Sequence, residues 1–241
     1  MDAAQTIRAA VAQVSALRLE ALDNAALAAG IATVKRFQAE RFTRTYADVL
    51  TAGPYKGAAR FFVDELYSGR DYTLRDAQFS RIAGALQTFF PKHVVTTAVA
   101  LAQLHALTEE IDHEMGRVWI GKTAANGTDE TTRYMQVWCA VGRREDRLRQ
   151  LANVLEVGRE LDRLTHLPGL RLTLRMMRRP AQAAGLSSLQ VFLETGFDTF
   201  SAMGVKGNSA NDFLALIQTR ESALIEALFS NNLSAVKASI R

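Results

Sequence analysis

Cysteine occurs once, at Cys139, and proline only four times in 241 residues. A single thiol excludes an intramolecular disulfide and any zinc site built on several cysteines. It agrees with a reducing compartment. Scarce proline, set beside abundant alanine and leucine, removes the main breaker of helices and supplies good helix formers. No apolar run approaches the ~20 residues that a membrane-spanning helix needs. The first twenty residues, MDAAQTIRAAVAQVSALRLE, lack a basic segment followed by an unbroken apolar stretch, so they do not read as a signal peptide. A cytoplasmic location is the expectation. No segment alternates at period two for long enough to propose a strand, and there is no internal repeat or low-complexity tract.

A strong excess of one charge is also lacking: the formal net charge is +4. Acids and bases balance through residue 120, and the surplus lies later, among arginines interleaved with acids. Such mixing reads as a solvated helix face. Only LRLTLRMMRRP, Leu170 to Pro180, is purely basic. Arg171, Arg175, Arg178 and Arg179 make it a candidate patch for an acidic partner, a nucleic acid or a membrane surface. The plainer reading is an ordinary basic helix face, and nucleic acid is not the favoured partner.

Hydrophobic residues make up 48% of the chain, enough for a sizeable core. Their spacing at three and four predicts helices throughout. The first covers residues 3 to 22, and the second reaches Ala52, with Gly30 as a bend or break between them. Pro54 opens a third that ends near Ser68. A fourth runs from Thr73 or so to Phe90, and a long fifth from Lys92 to Ile120. After the loop Gly121 to Asp129, one helix spans residues 130 to 164. A short basic helix ends at Arg179, Pro180 starts another, and the last strong helix is Asp212 to Phe229. The expectation is an all-α, bundle-like domain of eight or nine helices over residues 1–230, with 231–241 a frayed tail.

The segment FFVDELY, Phe61 to Tyr67, sets two acids inside a run of large apolar residues. On a helix, Phe62, Val63, Leu66 and Tyr67 share one arc, Asp64 and Glu65 lie opposite, and Phe61 falls between. A helix apolar nearly all round is normally buried, and buried carboxylates need partners. Arg60 is within reach of Asp64, and Arg75 or Arg81 of Glu65. His105 also sits on an apolar face, and Arg220 and Glu221 border one. A partly buried polar network drawing on Asp64, Glu65, His105, Arg220 and Glu221 is therefore expected. Architectural pairs that fix helix register are the plainer account of it, and a functional cluster the sharper one.

FFVDELY, followed by DYTLRDAQFSRI, resembles the bacterial FFLEELY-motif family. RFTRTYADVL before it and FFPKHVVTTAVALAQLHAL after it fit too. The similarity is densest from Arg41 to Leu107 and extends more weakly through GLSSLQVFLETGF and FLALIQTRESALIEALF. Val63 and Asp64 depart from the family's Leu and Glu, both conservatively. The resemblance implies a helical bacterial protein of unassigned role, marked by Phe61, Phe62, Asp64, Glu65 and Tyr67, and it supplies no catalytic residue.

Other motifs weaken on inspection. GRVWIGKT, Gly116 to Thr123, matches the phosphate-loop spacing, but a helical pattern precedes it and a loop follows. Glu110 and His113 form one Glu-x-x-His half-site without a second; TEEIDHE reads instead as a solvent face with Ile111 and Met115 inward. His93, His105 and His166 are the candidate axial ligands for a planar cofactor, with His93 expected to be exposed. Cys139 reads as a buried inert thiol. No cofactor, metal site or catalytic signature is identified. The leading expectation is a non-enzymatic module that binds a protein or small ligand. The alternatives are an enzyme or cofactor binder using Glu65 and His105, and an acidic-partner or nucleic-acid binder using residues 170–180. Self-association stays open.

Overall fold

A computed structural model describes residues 2–65, 72–121, 128–204 and 210–239, without the side chains of Glu65, Phe89 and Gly204. Among these residues the architecture is all-α, as the periodicity implies. It has thirteen helices rather than eight or nine: α1 (Ala3–Leu22), α2 (Ala25–Thr45), α3 (Ala47–Thr51), α4 (Lys56–Glu65), α5 (Thr73–Phe89), α6 (Lys92–Gly121), α7 (Glu130–Val141), α8 (Arg144–Thr165), α9 (Leu170–Met176), α10 (Arg178–Ala183), α11 (Ser187–Gly204), α12 (Ala210–Phe229) and α13 (Leu233–Ser239).

The extra helices come from breaks that local pattern hides. Gly30 does not divide the first two helices; the chain breaks at Asp23 and Asn24, where the Asn24 side chain accepts from the Leu27 N–H and caps α2. Gly30 lies inside α2, where a Cβ would meet the Gly116 carbonyl oxygen of α6 at 2.8 Å. Glycine lets these two helices cross backbone to backbone. The expected second helix divides at Tyr46, which separates α2 from α3. The expected helix over 130–164 divides at Gly142 and Arg143, both at positive φ (68° and 58°). Glycine adopts that region freely and arginine does not. Arg143 is held there by Glu110, Glu114 and Asp146 (2.7, 2.9 and 2.5 Å). Pro180 does not start a helix but sits in the first turn of α10. The tail expected to fray carries α13, whose Val236 is buried against α7 and α12.

The thirty-residue α6 is the spine. It packs along α1 and α2 on one side and α8 on another. α12 lies on α8, and α11 bridges α8, α4 and α5. The apolar faces do not merge into one solid centre. Three clusters form instead. The first joins Val34, Phe37, Met115, Trp138 and Leu228. The second joins Phe42, Tyr46, Phe61, Phe62, Phe200 and Phe213. The third joins Ile7, Val14, Ala83, Ala102 and Ala106.

A hollow core as candidate functional site

Between the three clusters lies a cavity of about 1140 Å³. Its wall takes Ala102 and Phe79 from the third cluster, Phe42, Phe62 and Ile217 from the second, and Tyr134, Trp138 and Leu224 from the first. Phe61 and Phe62 of the motif face it. Phe62 meets Phe213 edge to face at 5.7 Å, and Phe61 lies against Phe192 at 5.8 Å. Phe61 and Phe62 are thus wall material, Val63 packs against the second cluster, and Leu66 and Tyr67 lie outside the described residues.

Polar side chains punctuate the wall in three groups. In the first, the buried carboxylate of Asp76 (α5) accepts from Arg18 (α1) and contacts His105 Nε2 (α6), each at 2.9 Å. Arg75 stands 4.0 Å from the same carboxylate, with its guanidinium over the rings of Tyr72 (3.9 Å) and Phe192 (4.7 Å). Burial pushes the Asp76 carboxyl up, but the His105 hydrogen bond and the charges of His105, Arg18 and Arg75 outweigh it, so the group sits below its ordinary range.

In the second group, Arg41 (α2) donates to Glu221 (α12) at 2.6 Å, and the Tyr46 hydroxyl donates to the same oxygen at 3.0 Å. The third group surrounds Asp112 (α6), which accepts from Gln38 at 2.9 Å. Here burial dominates and raises the carboxyl above its ordinary value, against the pull of Lys35 and Arg147. Nearby, Lys35 pairs with Glu109 at 2.6 Å, and Gln150 donates to Thr108 at 2.7 Å. The Arg147 guanidinium lies over Trp138 at 3.9 Å.

The expected single network is therefore distributed. His105 is in the cavity wall, but its acid is Asp76 on the next helix. Glu221 is buried with Arg41 and Tyr46. Arg220 turns away from the cavity: it grips Asp48 with two bonds (2.8 and 2.7 Å) and the Thr45 carbonyl (2.7 Å). The Asp48 carboxyl is held down to about 2, chiefly by that hydrogen bond. The carbonyl of Asp64 accepts from the Tyr72 hydroxyl at 3.4 Å. The Glu65 side chain and Tyr67 lie outside the described residues.

The remaining candidates fall elsewhere. Gly116 to Gly121 is helical, in α6, so the phosphate-loop spacing forms no loop there; Lys122 and Thr123 lie outside the described residues. Glu110 is taken by Arg143 and Gln13 (both 2.7 Å). Asp112 and His113 are buried rather than solvent-facing, because α1 and α2 cover that side of α6. His93 is half-buried with Nε2 enclosed, not exposed. His166 is exposed and contacts the Asp162 carbonyl at 2.8 Å. Cys139 is exposed rather than buried. In the basic stretch, Arg171 bonds Asp198 at 2.9 Å and Arg178 bonds Glu194 at 2.8 Å. Among the described residues no three His, Cys, Asp or Glu side chains gather as a metal site.

Asp76, Arg41 and Arg147 were missed by the sequence reading, and Asp112 was read as part of a solvent-facing charged run rather than as a buried wall group. Each carried a signal. Asp76 leads the stripe Phe79 and Ala83, Arg41 follows Val34 and Phe37, Asp112 follows Leu104, and Arg147 precedes Leu151 and Leu155. All stand at helical spacing on apolar faces.

These features define an all-helical protein with a hollow, mostly apolar interior. The chain belongs to the family described as a domain of unknown function (DUF8198), which matches residues 17–235. No curated protein and no solved structure matches it. No described helix is long and apolar enough to cross a membrane.

Proposed function

We propose that the protein is a non-enzymatic carrier or sensor that holds a small, largely apolar molecule in its central cavity. The cavity itself is the observation that supports this. Native interiors pack densely, with few voids larger than a water molecule. A space of about 1140 Å³ left unfilled would forfeit the packing contacts of its whole lining. Water would relieve the void but wet the leucine and phenylalanine wall. A guest with an apolar body meets both demands, and the polar groups at Asp76, Asp112 and Glu221 offer it a few points of orientation.

Filling the cavity tests this. Leu101→Trp with Val154→Trp adds bulk at two lining positions. The double variant should stay folded and lose uptake of a dansyl-labelled fatty acid by fluorescence titration. Equal uptake by wild type and variant counts against the cavity as the site.

The His105–Asp76 pair supports a second reading, an enzyme or cofactor binder. A histidine oriented by a buried carboxylate beside a cavity is a competent acid–base unit. His105→Gln should then abolish turnover of the bound molecule while leaving its uptake intact.

A further inference from the structure

The cavity has a thin cover. α9 and α10 run on through Met177, whose backbone is helical, with the Met177 N–H bonded to the Thr173 carbonyl and the Ala181 N–H to that of Met177. One stripe of this near-continuous segment, Leu170, Thr173, Leu174, Met177 and Ala181, lines the cavity. The opposite stripe carries Leu172, Arg175, Met176 and Arg179, spaced at three and four. Leu172 is 62% exposed and Met176 69%. Thr173 and Met177 of the inner stripe are exposed as well, so the segment is a partial cover whose outer surface mixes exposed apolar side chains with arginine.

Charge reinforces the pattern. Residues 163–193 contain five arginines and no acid. Arg171 and Arg178 are bound by Asp198 and Glu194 of α11, while Arg175 and Arg179 stay exposed on the outer stripe. Beside the start of α9 lies a shallow cleft of about 360 Å³, lined by Thr165, Arg171, Arg175, Ser201 and Phe197. Phe197 belongs to the walls of both the cleft and the cavity. The surface and the interior thus meet at one side chain.

We propose that the outer face of α9 and α10 docks on an anionic phospholipid bilayer, and that the cavity exchanges its guest on this side. The second half rests on the cavity holding an apolar guest. Interfacial helices sink leucine and methionine into the headgroup boundary while arginine reaches the phosphates. The cleft beside Arg171 and Arg175 is suited to a lipid headgroup. A nucleic acid would reward the arginines but not Leu172 and Met176, and the outer stripe has no aromatic side chain for bases to stack on. An apolar guest that is sparingly soluble in water is best delivered where it already resides, in a bilayer.

Co-sedimentation with vesicles tests the docking half without any knowledge of the guest. The full chain should bind vesicles of phosphatidylcholine with phosphatidylglycerol, weakly in high salt, and not vesicles of phosphatidylcholine alone. An arginine near an anionic surface is worth about fivefold, so Arg175→Gln with Arg179→Gln should cost about 30-fold. Leu172→Ser with Met176→Ser should also release the protein. All four side chains are exposed, so both variants should keep the wild-type circular dichroism. Arg44→Gln, an exposed position on α2, should bind as wild type. The docking proposal is overturned by failure to bind anionic vesicles, or by binding that ignores either pair of substitutions. It is equally overturned if Arg175 and Arg179 instead hold an RNA probe and Leu172 and Met176 prove dispensable. Failure here leaves dansyl-fatty-acid uptake intact, whereas failure of the cavity reading abolishes uptake and leaves vesicle binding.

Discussion

The Glu221 carboxylate ties α12 to α2 at the point where α2 ends. One oxygen accepts from Arg41 at 2.6 Å and from the Tyr46 hydroxyl at 3.0 Å, and all three side chains are buried. Glu221→Ala removes the acceptor shared by two buried donors. Breaking a buried ion pair from one side costs about 3–5 kcal/mol, a large share of a typical domain's stability. For a chain of this size the midpoint of thermal unfolding should fall by roughly 6–20 °C. Replacing both charges, as in Arg41→Met with Glu221→Leu, removes the desolvation demand with the pair but also takes this acceptor from the Tyr46 hydroxyl, so it should recover part of the loss and stay about 1–3 kcal/mol below wild type. Urea unfolding followed by circular dichroism measures both, provided the slope with denaturant is unchanged. If Glu221→Ala lies within about 1 kcal/mol of wild type, or the double variant is as unstable as the single, the reasoning about this pair is refuted.

Two further outcomes follow from the spine. A Cβ on Gly116 would stand 2.4 Å from Ile31 Cγ1 and 3.0 Å from the Ile31 backbone nitrogen, so Gly116→Ala should lose about 1–3 kcal/mol in urea unfolding; a neutral result would mean that α2 and α6 separate easily. The raised Asp112 carboxyl means that the folded state holds this proton more tightly than the unfolded state does. Its contribution is therefore fully present below the unfolded value near ~4 and is lost as pH rises through the folded value. Asp112→Asn should raise the thermal midpoint near neutral pH and change it little in mild acid. A midpoint lowered more at neutral pH than in acid contradicts that sign.

Much of the fold was legible because burial writes a period into each helix. The stripes Ile7, Val11, Val14 and Phe213, Ile217, Leu224 mark α1 and α12 with no help from tertiary structure. The breaks at Tyr46 and Arg143 were not legible, since each depends on groups distant in sequence. Tyr46 is bound by Glu221, and Arg143 is held in its left-handed conformation partly by Glu110 and Glu114 of α6. His105 and Glu221 stood out as polar residues on apolar faces, but their partners, Asp76 and Arg41, depend on which helices become neighbours. TEEIDHE looked like a solvent face because charge was taken as exposure, whereas α1 and α2 cover Asp112 and His113. The cavity leaves no local trace at all. Its wall is assembled from side chains of helices distant in sequence, α2, α5, α6, α8, α11 and α12 among them, and no one segment records it.

Native mass spectrometry of gently purified protein, with chemical identification of anything released on denaturation, tests the hollow core most directly. The cavity reading predicts a near-stoichiometric guest with an apolar body on the wild-type chain, absent from Leu101→Trp with Val154→Trp. A clean apo mass for wild type that also takes up no dansyl-labelled fatty acid would contradict it.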